Sequence, residues 1–242
     1  MSNSSSGRRK KVTTTPSGVS YKQFMQMSEN ERYDLIEKII DDNNIKVPDY
    51  LDNSQTSKVM YALGMNNKPE MVSDKEFDKL KGDAMYRTVN NAKTQTSENI
   101  INQIKTSDYT QLSGDASSAY GRGIYFAKTF TESARYGIND KNPIMMRAKI
   151  KSNAKIEDYG SLRRTVKNDT RFYNSRNMNR SDIYSLYALA KGLDGWHSKG
   201  TGYTVIVNRG SLVTTSTNKK TQRQKGIIGG FKRLSWKTAP DA

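Results

Sequence analysis

Tyr120-Gly-Arg-Gly-Ile-Tyr-Phe-Ala127 sets two glycines directly ahead of an apolar run, and this segment restricts the fold of the chain more than any other. Glycine admits backbone conformations and close approaches that a Cβ forbids, so Gly121 and Gly123 read as a tight turn entering a sheet. A Rossmann-type dinucleotide turn does not fit. It needs the strand before the glycines and a third glycine at fixed spacing, and here the strand follows.

The neighbouring patterns place short helices and strands around this turn. Ser28 with Glu31, and Ser73 with Glu76, are capping-box pairs that start helices near 28 and over 73–81, the second with Gly82 as its C-cap. The first should run about twelve residues, with Leu35, Ile36, Ile39 and Ile40 at helical spacing, to the Asp41–Asn44 cluster. Further helices are expected over 54–63 closed by Gly64, over 97–104, over 131–136, and over 181–191 closed by Gly192. Strands are expected over 84–89, 123–127 and 143–150. The β-branched run Gly202-Tyr-Thr-Val-Ile-Val-Asn208 gives the clearest strand.

Composition narrows the chemistry. The chain of 242 residues has no cysteine, so disulfides, thiolate metal sites and a cysteine nucleophile are excluded. One histidine, His197, cannot build a zinc site of the usual kinds and reads as a loop residue. The apolar runs are a few residues long, against about 20 for a membrane span. Arg8 to Lys11 are followed by no apolar stretch, so a secretory signal is not expected and the protein should be intracellular and soluble. The net charge of +16 favours phosphate backbones or acidic protein faces as partners, or is simply a solvated basic surface.

Charge also marks the ends. Residues 1–20 are small, polar and basic and read as a disordered arm; residues 21–82 read as a helical segment. A core domain is expected over 83–215, and a second basic, flexible tail over 216–242, where Phe231 and Trp236 interleave with Lys and Arg. Such a tail suits either nucleic acid, by stacking plus charge, or docking onto another protein.

Extended through Ser133-Ala-Arg-Tyr136, the glycine segment closely resembles the central NAD-site segment of mono- and poly-ADP-ribosyltransferases of the poly(ADP-ribose) polymerase type. The resemblance runs from Ser118, without a gap, and extends to roughly residues 84–214. It implies an α+β fold: an ADP-ribosyltransferase-like split β-sheet core, with the N-terminal helical segment and basic tails attached. It implies NAD as substrate and no metal. Tyr125 takes the place of the family's motif tyrosine, with Gly123 and Phe126 beside it in the cofactor-binding segment. Ser133 would bond the nicotinamide carboxamide and Tyr136 would stack on the ring, which suits a flat cation and an amide. Arg87 and Thr88, in Met85-Tyr-Arg-Thr88, match the first-strand signature that contacts ribose and phosphates; Arg87 otherwise reads as a strand-end residue pairing with a carboxylate. Leu193-Asp-Gly-Trp196 and Tyr203 to Arg209 resemble the closing part of such domains in bacteriophage proteins, and residues 47–80 resemble phage virion-associated sequences, which implies an intracellular or virion-associated protein.

The match breaks at the last strand. The family's catalytic glutamate, which bonds the ribose and stabilises its developing positive charge, is replaced by Tyr203, and neither Gly202 nor Thr204 is acidic. A tyrosine brings no negative charge at neutral pH. Asp194 and Glu157 are the nearest acids for a displaced role, although Asp194 reads first as a turn residue. Three functions are consistent with this pattern. One is an active mono-ADP-ribosyltransferase, a glycosyl-group transferase acting on a protein or nucleic-acid acceptor. The second is an inactive virion or interaction protein keeping the fold, and the third a nucleic-acid binder working through its basic tails.

Overall fold

The structure, a computed structural model, describes residues 15–91, 95–110, 112, 120–137, 143–169, 171–172, 178–228 and 231–238, with 219–228 and 231–238 described by backbone. Local capping sets the N-terminal half. α1 (Tyr21–Gln26) starts at Ser20 and α2 (Glu29–Asp41) at Ser28, each with a reciprocal box to Gln23 or Glu31. The extended backbone of Ser28 (ψ 161°) separates two helices whose apolar residues share one periodic pattern. α3 (Gln55–Ala62) follows Ser54, then β1 (Glu70–Val72), then α4 (Asp74–Lys79) with the Ser73–Glu76 box.

The remaining elements alternate. They are β2 (Met85–Val89), α5 (Ser97–Thr106), β3 (Ile124–Ala127), α6 (Phe130–Ala134), β4 (Ile144–Ile150), β5 (Ile156–Asp158) and α7 (Tyr159–Asn168). After them come α8 (Arg180–Ala190), β6 (Gly195–His197), β7 (Tyr203–Ile206), β8 (Leu212–Thr215), β9 (Lys219–Ile228) and β10 (Phe231–Thr238). The fold is α+β, with a mixed sheet in the order β1-β8-β4-β2-β3-β7-β6-β5. β1 with β8 and β5 with β6 are parallel; the pairs between them are antiparallel.

The sheet opens in the middle. β2 pairs with β4 along all five of its residues, but meets β3 at Tyr86↔Ala127. Its two faces bury different sets of side chains. α1, α2, α3, α7 and α8 pack Phe24, Ile36, Val59, Leu162 and Leu186 against Trp196, Val205 and Val207. On the other face, Ile101 and Ile104 of α5 cover Met85, Ile124, Phe126, Met146 and Ile206. Parity along β7 explains the division, since Val205 and Val207 point one way and Ile206 the other. α8 is buried from Ser181 to Ala190, wedged between the sheet side and α2, α3 and α7.

Two expectations about the ends change. Residues 1–14 of the N-terminal arm lie outside the described residues, but Ser17 to Ser20 are not an arm. Ser17 bonds the Ala62 carbonyl through its N–H (3.1 Å) and hydroxyl (2.6 Å), and Val19 packs on the core. In the basic tail, β9 and β10 form an antiparallel ribbon from Phe231↔Ile228 to Thr238↔Thr221, and β9 joins β4 at Ile144↔Lys220. The expected flexible tail is therefore mostly strand. Two runs joined by Gly229-Gly230 carry the two-residue hairpin signal, which outweighs basic composition. Among the described residues no helix is long and apolar enough to cross a membrane, and no group of three or more His, Cys, Asp or Glu side chains could hold a metal.

Candidate functional site

Where β2 and β3 diverge, a cavity of about 440 Å³ opens, within the range of small-molecule sites. The row Tyr86–Ala127–Tyr203 runs along it, because β3 pairs with β7 through Ala127↔Tyr203. Residues from four elements line it: Tyr86 to Asn90 of β2 and its end, Tyr125 to Ala127 of β3, Ser133 and Tyr136 from α6 and the turn after it, and Tyr203.

Each side chain is placed by a local cause. Two glycines bring the chain into β3. Gly121 has φ +94°, and a Cβ there would stand 2.7 Å from the Trp196 ring and 2.8 Å from Tyr184 Cβ. A Cβ at Gly123 would stand 2.4 Å from a Val205 methyl, so this glycine permits strand approach and does not line the cavity. The Tyr125 hydroxyl donates back to the Gly121 carbonyl and closes the turn. Thr129 then caps α6 with a reciprocal Glu132 bond, which turns the buried Ser133 toward β2. Its hydroxyl lies 3.0 Å from that of Thr88. A 3₁₀ turn over Arg135–Gly137 carries Tyr136 onward, and Asn90 Nδ2 donates to its carbonyl at 2.5 Å.

Arg87 sits in the gap between the diverging strands, its guanidinium donating to the Tyr125 carbonyl at 3.1 Å. Burial pushes its pKa down to about 10, so it remains cationic at neutral pH. Among the described lining residues there is no carboxylate, so the cavity favours an anionic or polar ligand.

Tyr136 and Tyr203 close the mouth. Their hydroxyls are 2.5 Å apart and their rings meet edge-on at 6.1 Å and 69°. Tyr136 is 56% exposed, which leaves a ring face accessible to a flat ligand. Burial first, then the bond to Tyr203, raises its pKa to about 12. On the far side of the pair lies a second depression of about 340 Å³, lined by Glu132, Arg135 and Thr201 as well as the two tyrosines.

The structure thus brings together Arg87, Thr88, Tyr125, Phe126, Ser133, Tyr136 and Tyr203. Asp194 and Glu157 are not brought to the cavity. Asp194 accepts from the Lys155 N–H (2.8 Å) and Asn208 Nδ2 (2.6 Å) and belongs to a separate polar cleft; Glu157 accepts from Ser161 at 2.6 Å. His197 lies on β6, not in a loop, with Nδ1 3.0 Å from the Thr204 hydroxyl. Glu132 stands in a Thr129–Glu132 capping-box pair and Arg135 inside the Ser133–Tyr136 motif, neither of which marks it as a lining residue. Asn90 carried no distinctive signal in the sequence. Nor did the buried tie behind the turn, where Arg122 Nε donates to Asp182 at 3.2 Å and Thr56 donates to the same oxygen at 2.6 Å. That tie fastens the glycine turn to α8 and α3.

The chain matches no protein-family model, no curated protein and no solved structure.

Proposed function

We propose that the cavity binds NAD and that the chain is a mono-ADP-ribosyltransferase, its parted sheet serving as the family's split core. One observation supports this above others. Residues singled out by the resemblance in three distant segments, Arg87, Ser133 with Tyr136, and Tyr203, surround one cavity. Arg87 would hold the ribose and phosphates, the Thr88–Ser133 hydroxyl pair the carboxamide, and Tyr136 the nicotinamide ring.

In the reaction the ribosyl C1′–N bond breaks and nicotinamide leaves as a neutral base with the bonding electron pair. An acceptor lone pair then bonds C1′, and the acceptor releases a proton. The acceptor, on a protein or a nucleic acid, would approach through the outer depression past the two tyrosines. The Tyr203 oxygen offers a lone pair to the developing cation but no charge, which is a weaker electrostatic contribution than a carboxylate's.

That substitution favours a second reading, in which NAD binds without turnover and the domain acts as an interaction protein. Incubating the full chain with NAD labelled in its adenylate, and measuring nicotinamide release, label transfer and calorimetric binding, separates the two. Release that disappears in Arg87→Ala and Tyr136→Ala is the expected result. Binding without release establishes the second reading, and absence of both overturns the NAD assignment.

A further inference from the structure

The β9–β10 ribbon has no part in the chemistry of the cavity, yet it is built onto its wall. Across the sheet, cavity-lining Thr88 pairs with Met145, and Met145 pairs with Lys219; Val89, Ile144 and Lys220 form the next row. At the usual strand spacing the ribbon's root stands about 10 Å from the cavity edge. β10 runs alongside α6, the helix that carries Ser133. Beyond Lys220, the first residue of β4 has been passed, and Thr221 to Ile228 pair with β10. Eight residues of strand extend roughly 26 Å.

The ribbon's sequence is one-signed. From Lys219 to Thr238 there are seven Lys or Arg and no Asp or Glu. The register sets Arg223 opposite Trp236, Lys225 opposite Leu234, and Lys232 opposite Ile227, all in one alternation set with Lys219. Lys220, Arg233 and Lys237 fall in the other set. Both faces of the ribbon are therefore basic.

We infer that this ribbon is a docking surface for duplex nucleic acid. The major groove admits a two-stranded antiparallel ribbon, and a ribbon lying in it is flanked by phosphates on both sides. Seven cations with no acid along the ribbon fit a groove walled by phosphates. A single strand is a poorer fit. It is gripped by consecutive aromatic platforms, and Phe231 and Trp236 fall in opposite alternation sets. The assignment does not rest on what the cavity binds, although a duplex held here lies beside it.

The test is fluorescence anisotropy of the full chain with a labelled duplex of roughly 21 base pairs, two helical turns, against the single strand and polyglutamate as competitors. Binding to the duplex should weaken steeply with salt. The triple variant Arg223→Gln, Lys225→Gln, Lys232→Gln should flatten the logarithmic salt slope by about 2.7, three phosphate contacts at about 0.9 each. A matched triple at exposed Lys22, Lys38 and Lys46 should leave the slope unchanged and controls for net charge alone. Equal slopes in the ribbon variant and the wild type would overturn the inference. So would no duplex binding at about 50 mM salt, or displacement by polyglutamate at equal charge concentration. Calorimetry with NAD on both proteins keeps the two assignments separate: slope loss in the variant supports the ribbon whether or not NAD binds.

Discussion

The hydroxyls of Tyr136 and Tyr203 lie 2.5 Å apart across the mouth of the cavity, joining the residue proposed to stack on nicotinamide to the residue that the resemblance sets where a glutamate is expected. Sixty-seven positions separate them in the chain. The rings meet edge-on, and burial, with the bond to Tyr203 second, raises the Tyr136 pKa to about 12. A site built this way has aromatic surface and hydrogen-bonding capacity at its rim, with its positive charge deeper in, at Arg87.

Restoring a carboxylate at that rim tests what the tyrosine costs. Tyr203→Glu should raise the rate of nicotinamide release tenfold or more, since about 1.4 kcal/mol of added transition-state stabilisation gives a factor of ten. Tyr203→Phe, which loses the bond to Tyr136, should change stability by no more than about 1.5 kcal/mol. Single-turnover release kinetics read the first and urea melts the second; a slower Tyr203→Glu enzyme with intact NAD binding counts against a catalytic site at 203.

Arg87 is the anion-binding group of the proposal. Its removal in Arg87→Ala should weaken NAD binding roughly 10- to 100-fold, the value of one hydrogen bond to a charged group at about 1.5–3 kcal/mol. Arg87→Lys should fall between, because an ammonium keeps the charge and loses the planar fork. Calorimetry decides, with thermal melts to separate the loss of the Tyr125 carbonyl's partner from the loss of ligand affinity.

The glycine turn depends on a buried ion pair. Asp182 is 1% exposed and accepts from Arg122 and from both Thr56 donors. Asp182→Ala should cost about 1–3 kcal/mol, because both Thr56 donors lose their acceptor and the Arg122 guanidinium keeps Asp52, 3.5 Å away, as its carboxylate partner. Trp196 fluorescence during urea unfolding reports it well, since its indole N–H donates to the Tyr120 carbonyl beside the turn at 2.8 Å. A midpoint shift equivalent to less than about 1 kcal/mol contradicts the tie.

Lys105 gives a pH signature at the root of the ribbon. It is 2% exposed and donates to the Thr215 carbonyl (2.6 Å) and Asn218 (2.5 Å) in the link between β8 and β9. Burial lowers its pKa to about 8. The unfolded chain keeps that proton up to about pH 10.4, so it binds more protons than the folded one between the two values. Stability relative to Lys105→Met should therefore stay level below pH 8 and rise between about 8 and 10.4. A flat difference across that window overturns the assignment.

Some features were legible in the sequence because their causes are local. The Ser28–Glu31 and Ser73–Glu76 boxes, the glycines after α3 and α8, and the β-branched run of β7 each act within a few residues. The resemblance around Tyr120–Tyr136 likewise named side chains that the structure gathers at one cavity. Other features had no local cause. β1, β5 and β6 are three-residue strands formed by partners far along the chain, and although the α8 helix was expected over 181–191, its burial from Ser181 to Ala190 is decided by the elements packed around it. In the basic tail, charge masked the Gly229-Gly230 hairpin signal. The hydroxyl contact of Tyr136 with Tyr203, the depressed pKa of Arg87 and the Arg122–Asp182 tie came only from tertiary structure, because each depends on distance and desolvation between residues the chain itself holds far apart.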